Sequence, residues 1–268
     1  MPVAPALYVQ TPTLTPARFG LSSAAEQIVE SDLHFRNGVE FIENPHGVAS
    51  LTAAECATGP STARVVDDGM PLVEAEPIIV YNGFTCRAVG VSETEMLDRA
   101  RQALASGEWQ AVEKAIWDTA TLRLMEDGVT DELNTTAVPL VQGIGILEAH
   151  LYENYGGVGV IHAPRHVAAS AAERRQVDTE TGRKVTTLGT RWSFGHYPNT
   201  GPDGTEAASG TAWLVGTGAV YTRRSEASSR PTNLAGALNR NTNEIFAIAE
   251  RTYVAAWETV PAAVLVTL

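Results

Sequence analysis

Apolar positions along the chain change period several times, and each change marks an element. Met96, Leu97, Ala100, Leu104, Val112 and Ile116 recur at helical spacing behind a Ser92-Glu93-Thr94-Glu95 capping box. The spacing predicts one helix over 93–118, ~39 Å long at ~1.5 Å per residue. A compact chain of this length has a radius of gyration of only ~18 Å, so the helix crosses nearly the whole body, weakened midway by Gly107. A second stripe, Val141, Ile144, Leu147, His150 and Leu151, predicts a helix over about 140–155, stopped by Gly156-Gly157. A third, short helix is expected from Pro164 toward Arg175.

Strand-like runs occupy 77–81, 84–89, 158–161, 184–192, 213–223, 244–256 and 262–268, the last two joined at Pro261. Leu33-His34-Phe35-Arg36-Asn37-Gly38-Val39-Glu40-Phe41 predicts a hairpin. Asn37-Gly38 suits a type I′ turn, which puts Leu33, Phe35, Val39 and Phe41 on one face. Pro2, Pro5, Pro12 and Pro16 favour an extended N-terminal arm, and 43–77 reads as loop, rich in Gly and Pro. Helices and strands mix without regular alternation and without an internal repeat, so the class is α+β.

Composition narrows the function. The chain has 268 residues, 44% of them hydrophobic, and 19 Lys and Arg against 31 Asp and Glu give a net charge of −12. Such a surface argues against a broad grip on nucleic-acid phosphates. Arg supplies seventeen of the basic residues and Lys only two, Lys114 and Lys184. No run of ~20 apolar residues is present to span a membrane, and the first twenty residues lack the pattern of a secretory signal. Cys56 and Cys86 are too few for a disulfide scaffold or a four-thiolate zinc site. The expectation is a soluble acidic globule of a reducing compartment.

No catalytic, metal or cofactor-binding constellation survives inspection. His162 and His166 have zinc-helix spacing, but Pro164 between them starts the helix and leaves His162 outside it. Gly143-Ile144-Gly145 opens like a dinucleotide fingerprint, yet Glu148 stands where the third glycine belongs and would repel a pyrophosphate. Asp178-Thr179-Glu180 opens like a calcium loop whose turn glycine is replaced by Arg183. Cys86 reads as a small core residue, and no Gly-x-Ser-x-Gly elbow occurs.

The order of elements carries more information than any single motif. Extended arm, hairpin excursion, strand, long helix, inserted α/β segment and returning apolar strands together resemble the Hong Kong 97-like major capsid fold of tailed phages. The likeness is to the short actinobacteriophage type without an N-terminal scaffolding segment. It rests on Tyr81-Asn82-Gly83-Phe84-Thr85-Cys86, on the Ala100-to-Trp117 helix, on Gly159-Val160-Ile161-His162-Ala163-Pro164-Arg165, and on the ending from Ala249 through Val266.

The resemblance implies an arm over 1–31 and an extended loop region over 32–76. It further implies a peripheral domain from 77–137 and 231–268 around a spine helix over 92–118, with an inserted axial domain over 138–230. The spine-helix core would be Leu97, Ala100, Leu104, Val112 and Ile116, and Phe35, Arg36, Asn37, Gly38 and Phe41 would make assembly contacts. Implied with the fold are hexamers, pentamers and a whole icosahedral shell, a virion location after assembly in the host cytoplasm, and packaged DNA held without sequence-specific binding. A scaffolding protein, a portal and a decoration protein are candidate partners; a membrane and a cofactor are not. In some shells of this fold a loop lysine bonds covalently to a neighbour's asparagine, but residues 1–91 contain no lysine. Two other readings compete: an encapsulin-like nanocompartment of the same fold, and a cytosolic α/β enzyme with a pocket near Gly156 to Pro164.

Overall fold

The computed structural model describes residues 7, 12, 14–44, 46, 47, 49, 71–87 and 92–268. A one-turn helix, α1 (Leu21–Ala24), leads into β1 (Glu26–Val29), and a 3-10 turn over Leu33–Asn37 leads into β2 (Val39–Ile42). Then come β3 (Leu72–Ala75), β4 (Ile78–Arg87) and the long helix α2 (Glu93–Asp118). Two short strands, β5 (Asp131–Glu132) and β6 (Val138–Pro139), precede α3 (Leu140–Asn154), β7 (Val160–Pro164) and α4 (Val167–Glu173). β8 (Asp178–Glu180), β9 (Arg183–Val185), β10 (Arg191–Gly195), β11 (Thr211–Thr217), β12 (Val220–Arg224) and β13 (Ser228–Arg230) follow. The chain closes with α5 (Leu234–Ala237), β14 (Leu238–Asn239), β15 (Glu244–Trp257) and β16 (Ala262–Thr267).

Helix α2 starts where the capping box places it, with the Ser92 hydroxyl accepting from the Glu95 N–H at 3.2 Å. Glu95 also pairs with Arg99 on the next turn. The helix runs unbroken through Gly107 and buries Met96, Ala100, Leu104, Val112, Ile116 and Trp117, with Leu97 half-buried at the rim. This face packs on β4 and β15, and alternate residues of those strands (Val80, Ile245, Ala247, Ala249, Tyr253) complete the core.

Two sheets share the molecule. One has six strands, with β15 pairing β12, β13, β14 and β4, and β1 added in parallel beyond β12. The other has eight, in the order β5-β16-β11-β7-β10-β9-β8 with β6 also on β16. It forms a second core with α3 and α4 through Leu140, Leu147, Ile161, Trp192, Leu214 and Val264.

Several expectations are corrected here. The run 213–223 is two strands, because the chain turns at Gly218-Ala219 and passes from one sheet to the other. The two strands joined at Pro261 belong to different sheets: β15 lies in the six-stranded sheet and β16 beside β11 in the eight-stranded one. β12 and β13, before residue 231, thus lie in the six-stranded sheet and β16, after it, in the eight-stranded one. The run 184–192 is interrupted by a turn, leaving β9 and β10. Pro164 ends β7 rather than opening a helix, and α4 begins at Val167.

The hairpin is also not formed. Asp32 accepts from the His34 N–H at 2.9 Å and nucleates the 3-10 turn, which the Gly38 N–H closes onto the Phe35 carbonyl. Gly38 has the positive φ (108°) that the sequence demanded. The partner of β2 is β3, thirty or more residues away, in register Val39 with Ala75 and Ile42 with Leu72. So the region read as loop from 43 contributes a strand.

Candidate functional site

The residues singled out for chemistry are mostly built into the cores. His162 is fully buried between the Tyr197 hydroxyl (3.0 Å, Nδ1) and the Thr217 hydroxyl (3.1 Å, Nε2). Burial pulls its pKa down to about 3, so it is a neutral structural imidazole. His166 faces outward, and among the described residues no three His, Cys, Asp or Glu side chains gather as a metal site requires. Gly143 is small because Val266 packs onto it, where an added Cβ would meet the valine at 2.2 Å. Glu148 holds the Thr186 and Thr190 hydroxyls. Asp178–Glu180 is an exposed strand, and Cys86 is half-buried against the core.

Two buried glutamates on α2 do more than fill space. Glu108 accepts from Arg251 Nη1 with both oxygens at 2.8 Å, joining helix to sheet. Glu113 accepts from the Leu21 N–H and the His196 N–H, each at 2.8 Å. Burial pushes its carboxyl up, against the pull of those two donors and of Arg165. Gly20 and Gly195 leave room for it; a Cβ on either would lie 2.1 or 2.8 Å from its carboxylate. The Phe194 N–H donates to the Phe19 carbonyl (2.8 Å) and Arg165 to the Arg18 carbonyl (3.1 Å). The N-terminal segment thus lies as a strap from Arg18 to Val29, across the end of the eight-stranded sheet and onto the edge of the six-stranded one.

The remaining conspicuous features are exposed apolar surfaces. On the face of the six-stranded sheet away from α2, Ile79 (66% exposed) and Tyr81 (70%) are next neighbours on β4, and Phe246 (52%), opposite Thr85, lies farther along the same face. Ile42 and Leu72, paired across β2 and β3, are exposed as well. A groove of about 270 Å³ between the strap and β2 is lined by Ile28, Phe41, Ile42, Tyr221, Val254 and Ala256. Among the described residues β1 and β4 each pair on one side only.

The predicted contact residues divide. Phe35 lies inside its own chain, against Ala75, Val254 and Ala256, and Phe41 is half-buried with its ring 5.4 Å from Tyr221. Arg36 and Asn37 are exposed, and Gly38 is half-buried under β3. Sequence reasoning missed Ile79, Tyr81 and Phe246; the signal was there, since Ile78–Arg87 carries apolar residues on both faces of a strand.

No protein-family model and no curated protein matches the chain. Solved structures do. The capsid of a native GTA particle computed with C5 symmetry aligns over 99% of this chain and 96% of that one, with TM-score 0.55 and 10% identity. The capsid of the empty GTA particle aligns over the same shares, with TM-score 0.54 and 10% identity. The holo-SrpI encapsulin complex from Synechococcus elongatus PCC 7942 aligns over 97% of this chain and 92% of that one, with TM-score 0.50 and 11% identity.

The chain has the Hong Kong 97-like capsid fold. At such identity the common property of these capsid-fold proteins is the chain path, not a set of side chains. The α+β order read from the sequence is the order of this fold, with the long helix α2 against β4 and β15 at its centre.

Proposed function

We propose that the chain is a structural major capsid protein. It assembles as hexamers and pentamers into an icosahedral phage head that encloses double-stranded DNA, with no enzymatic role. The observation that carries this is the near end-to-end match, in both directions, to the capsid subunits of GTA particles. The exposed Ile79, Tyr81 and Phe246 and the open strand edges support it, because apolar patches and unpaired edges mark surfaces made to be covered. Neighbouring copies provide the cover, repeated around closed rings.

In this reading α2, β4 and the six-stranded sheet are the peripheral domain, and the eight-stranded sheet with α3 and α4 is the axial domain that meets its copies on the symmetry axes. The strap continues the N-terminal arm. The β2–β3 ribbon belongs to the extended loop that overlaps an adjacent subunit, with Arg36 and Asn37 at its exposed base. A net charge of −12 suits a container whose wall must not trap its DNA. A scaffolding protein, a portal and a decoration protein complete the proposed assembly, formed in the host cytoplasm and located in the virion.

A second reading, an encapsulin-like shell around protein cargo, is favoured by the similarity to the SrpI complex. Electron microscopy of the purified chain tests both. Closed shells or rings are expected, and a stable monomer at high concentration would overturn them. Nuclease-protected DNA inside particles purified from infected cells supports the first reading, and protein cargo the second. Tyr81→Asp with Phe246→Asp should leave a folded chain that no longer assembles. Intact shells from that double variant would move the contact elsewhere.

A further inference from the structure

Where the chain passes between the two sheets, two crossings lie side by side: Thr217 to Val220, and Trp257 to Ala262. The Gly218 N–H donates to the Glu258 carbonyl (2.9 Å) and the Glu258 N–H to the Ala219 carbonyl (3.0 Å), so the two are stitched together at the bend. Glu258 itself is 1% exposed, an expensive place for a carboxylate without partners. Its partners come from two distant parts of the chain, with the Tyr221 hydroxyl of β12 beside the carboxylate as well. Asn44 donates to Oε1 from both its backbone N–H (3.2 Å) and its side-chain amide, and the Tyr155 hydroxyl donates to Oε2 at 2.6 Å. Burial and this carboxylate push the Tyr155 hydroxyl up to about 12, which keeps it a donor. Beside it Glu43 accepts from the Thr259 N–H at 3.1 Å and lies 3.0 Å from His46, while the Glu43 N–H donates to Pro71 across the ribbon.

We propose that Glu258 is a latch that couples the bend between the two sheets to the Glu43–Asn44 end of the β2–β3 ribbon, so that neither changes direction without the other. Asn44 touches the latch only from the ribbon side and Tyr155 only from the end of α3. Coupling of this kind is reciprocal: loosening either end loosens the far one. A mere brace would respond only where it is cut.

Amide hydrogen exchange of the full chain, followed by mass spectrometry, reads this directly and does not depend on whether shells form. Asn44→Ala should speed exchange at 218–220 and 258 by about tenfold, the scale of one lost hydrogen bond to a charged group, and leave 161–163 and 212–215 unchanged. Tyr155→Phe, which removes one oxygen atom and keeps the ring, should speed exchange at 39–44. Unchanged exchange at the bend in Asn44→Ala, or a uniform rise over the whole chain in both variants, would overturn the latch.

Discussion

His162 has no exposed surface, and its position fixes its charge. In the unfolded chain it takes a proton below about 6.5, and in the folded one only near pH 3. The unfolded state therefore binds more protons through that interval. The stabilisation from keeping His162 neutral is whole above pH 6.5 and lost as pH falls, by roughly 1.4 kcal/mol per pH unit. Glu113 works in the opposite direction: its raised pKa makes the folded state the better proton acceptor just above 4.5, so that group adds stability as pH falls through its window. Denaturant unfolding of the wild type and of His162→Gln at pH 7, 5.5 and 4.5 should show a flatter profile for the variant; parallel profiles would mean that His162 is not the acid-sensitive group. None of these roles was legible in the sequence. A glutamate within a helical stripe looks like a surface residue until its donors, at Leu21 and His196, arrive from 92 and 83 residues away.

Elements whose stabilising contacts are local were legible. Helix α2 was readable from its cap and its period, α3 from its stripe and the Gly156 stop, and β15 from a long apolar run. What escaped was pairing. Asn37-Gly38 makes no type I′ turn, since Asn37 ends the 3-10 turn and only Gly38 of the two has a positive φ, and β2 found β3 because Phe35, Val39 and Ala75 share a small core with β15. The division of 213–223 escaped because apolar character continues through the bend at Gly218. The packing of α2 gives two opposed expectations. Leu104 is 1% exposed against the sheet, so Leu104→Asp buries a charge and abolishes folding. At Gly107 an added Cβ meets nothing within 4 Å, so Gly107→Ala should raise stability by about 1 kcal/mol. Soluble, folded Leu104→Asp, or a destabilised Gly107→Ala in thermal melts, would contradict the helix placement.

For the whole molecule, lysine placement bears on how copies would be held together in the proposed shell. Lys114 is exposed on α2, and Lys184 sits over the Phe19 ring while bonding Thr179. Neither lies on the β2–β3 ribbon, and isopeptide formation needs a desolvated amine beside a neighbour's amide. Particles boiled in detergent with reductant should release one band near 28.5 kDa; a surviving ladder of multiples would require another cross-linking chemistry. The twin crossings between the sheets have a further consequence. β15 is the shared neighbour of β4, β12, β13 and β14, and β16 is the shared neighbour of β5, β6 and β11. A copy whose synthesis stops before Glu244 therefore closes neither sheet. In the proposed shell such a fragment would offer its neighbours no complete sheet, and the topology itself should keep prematurely ended copies out of the particle.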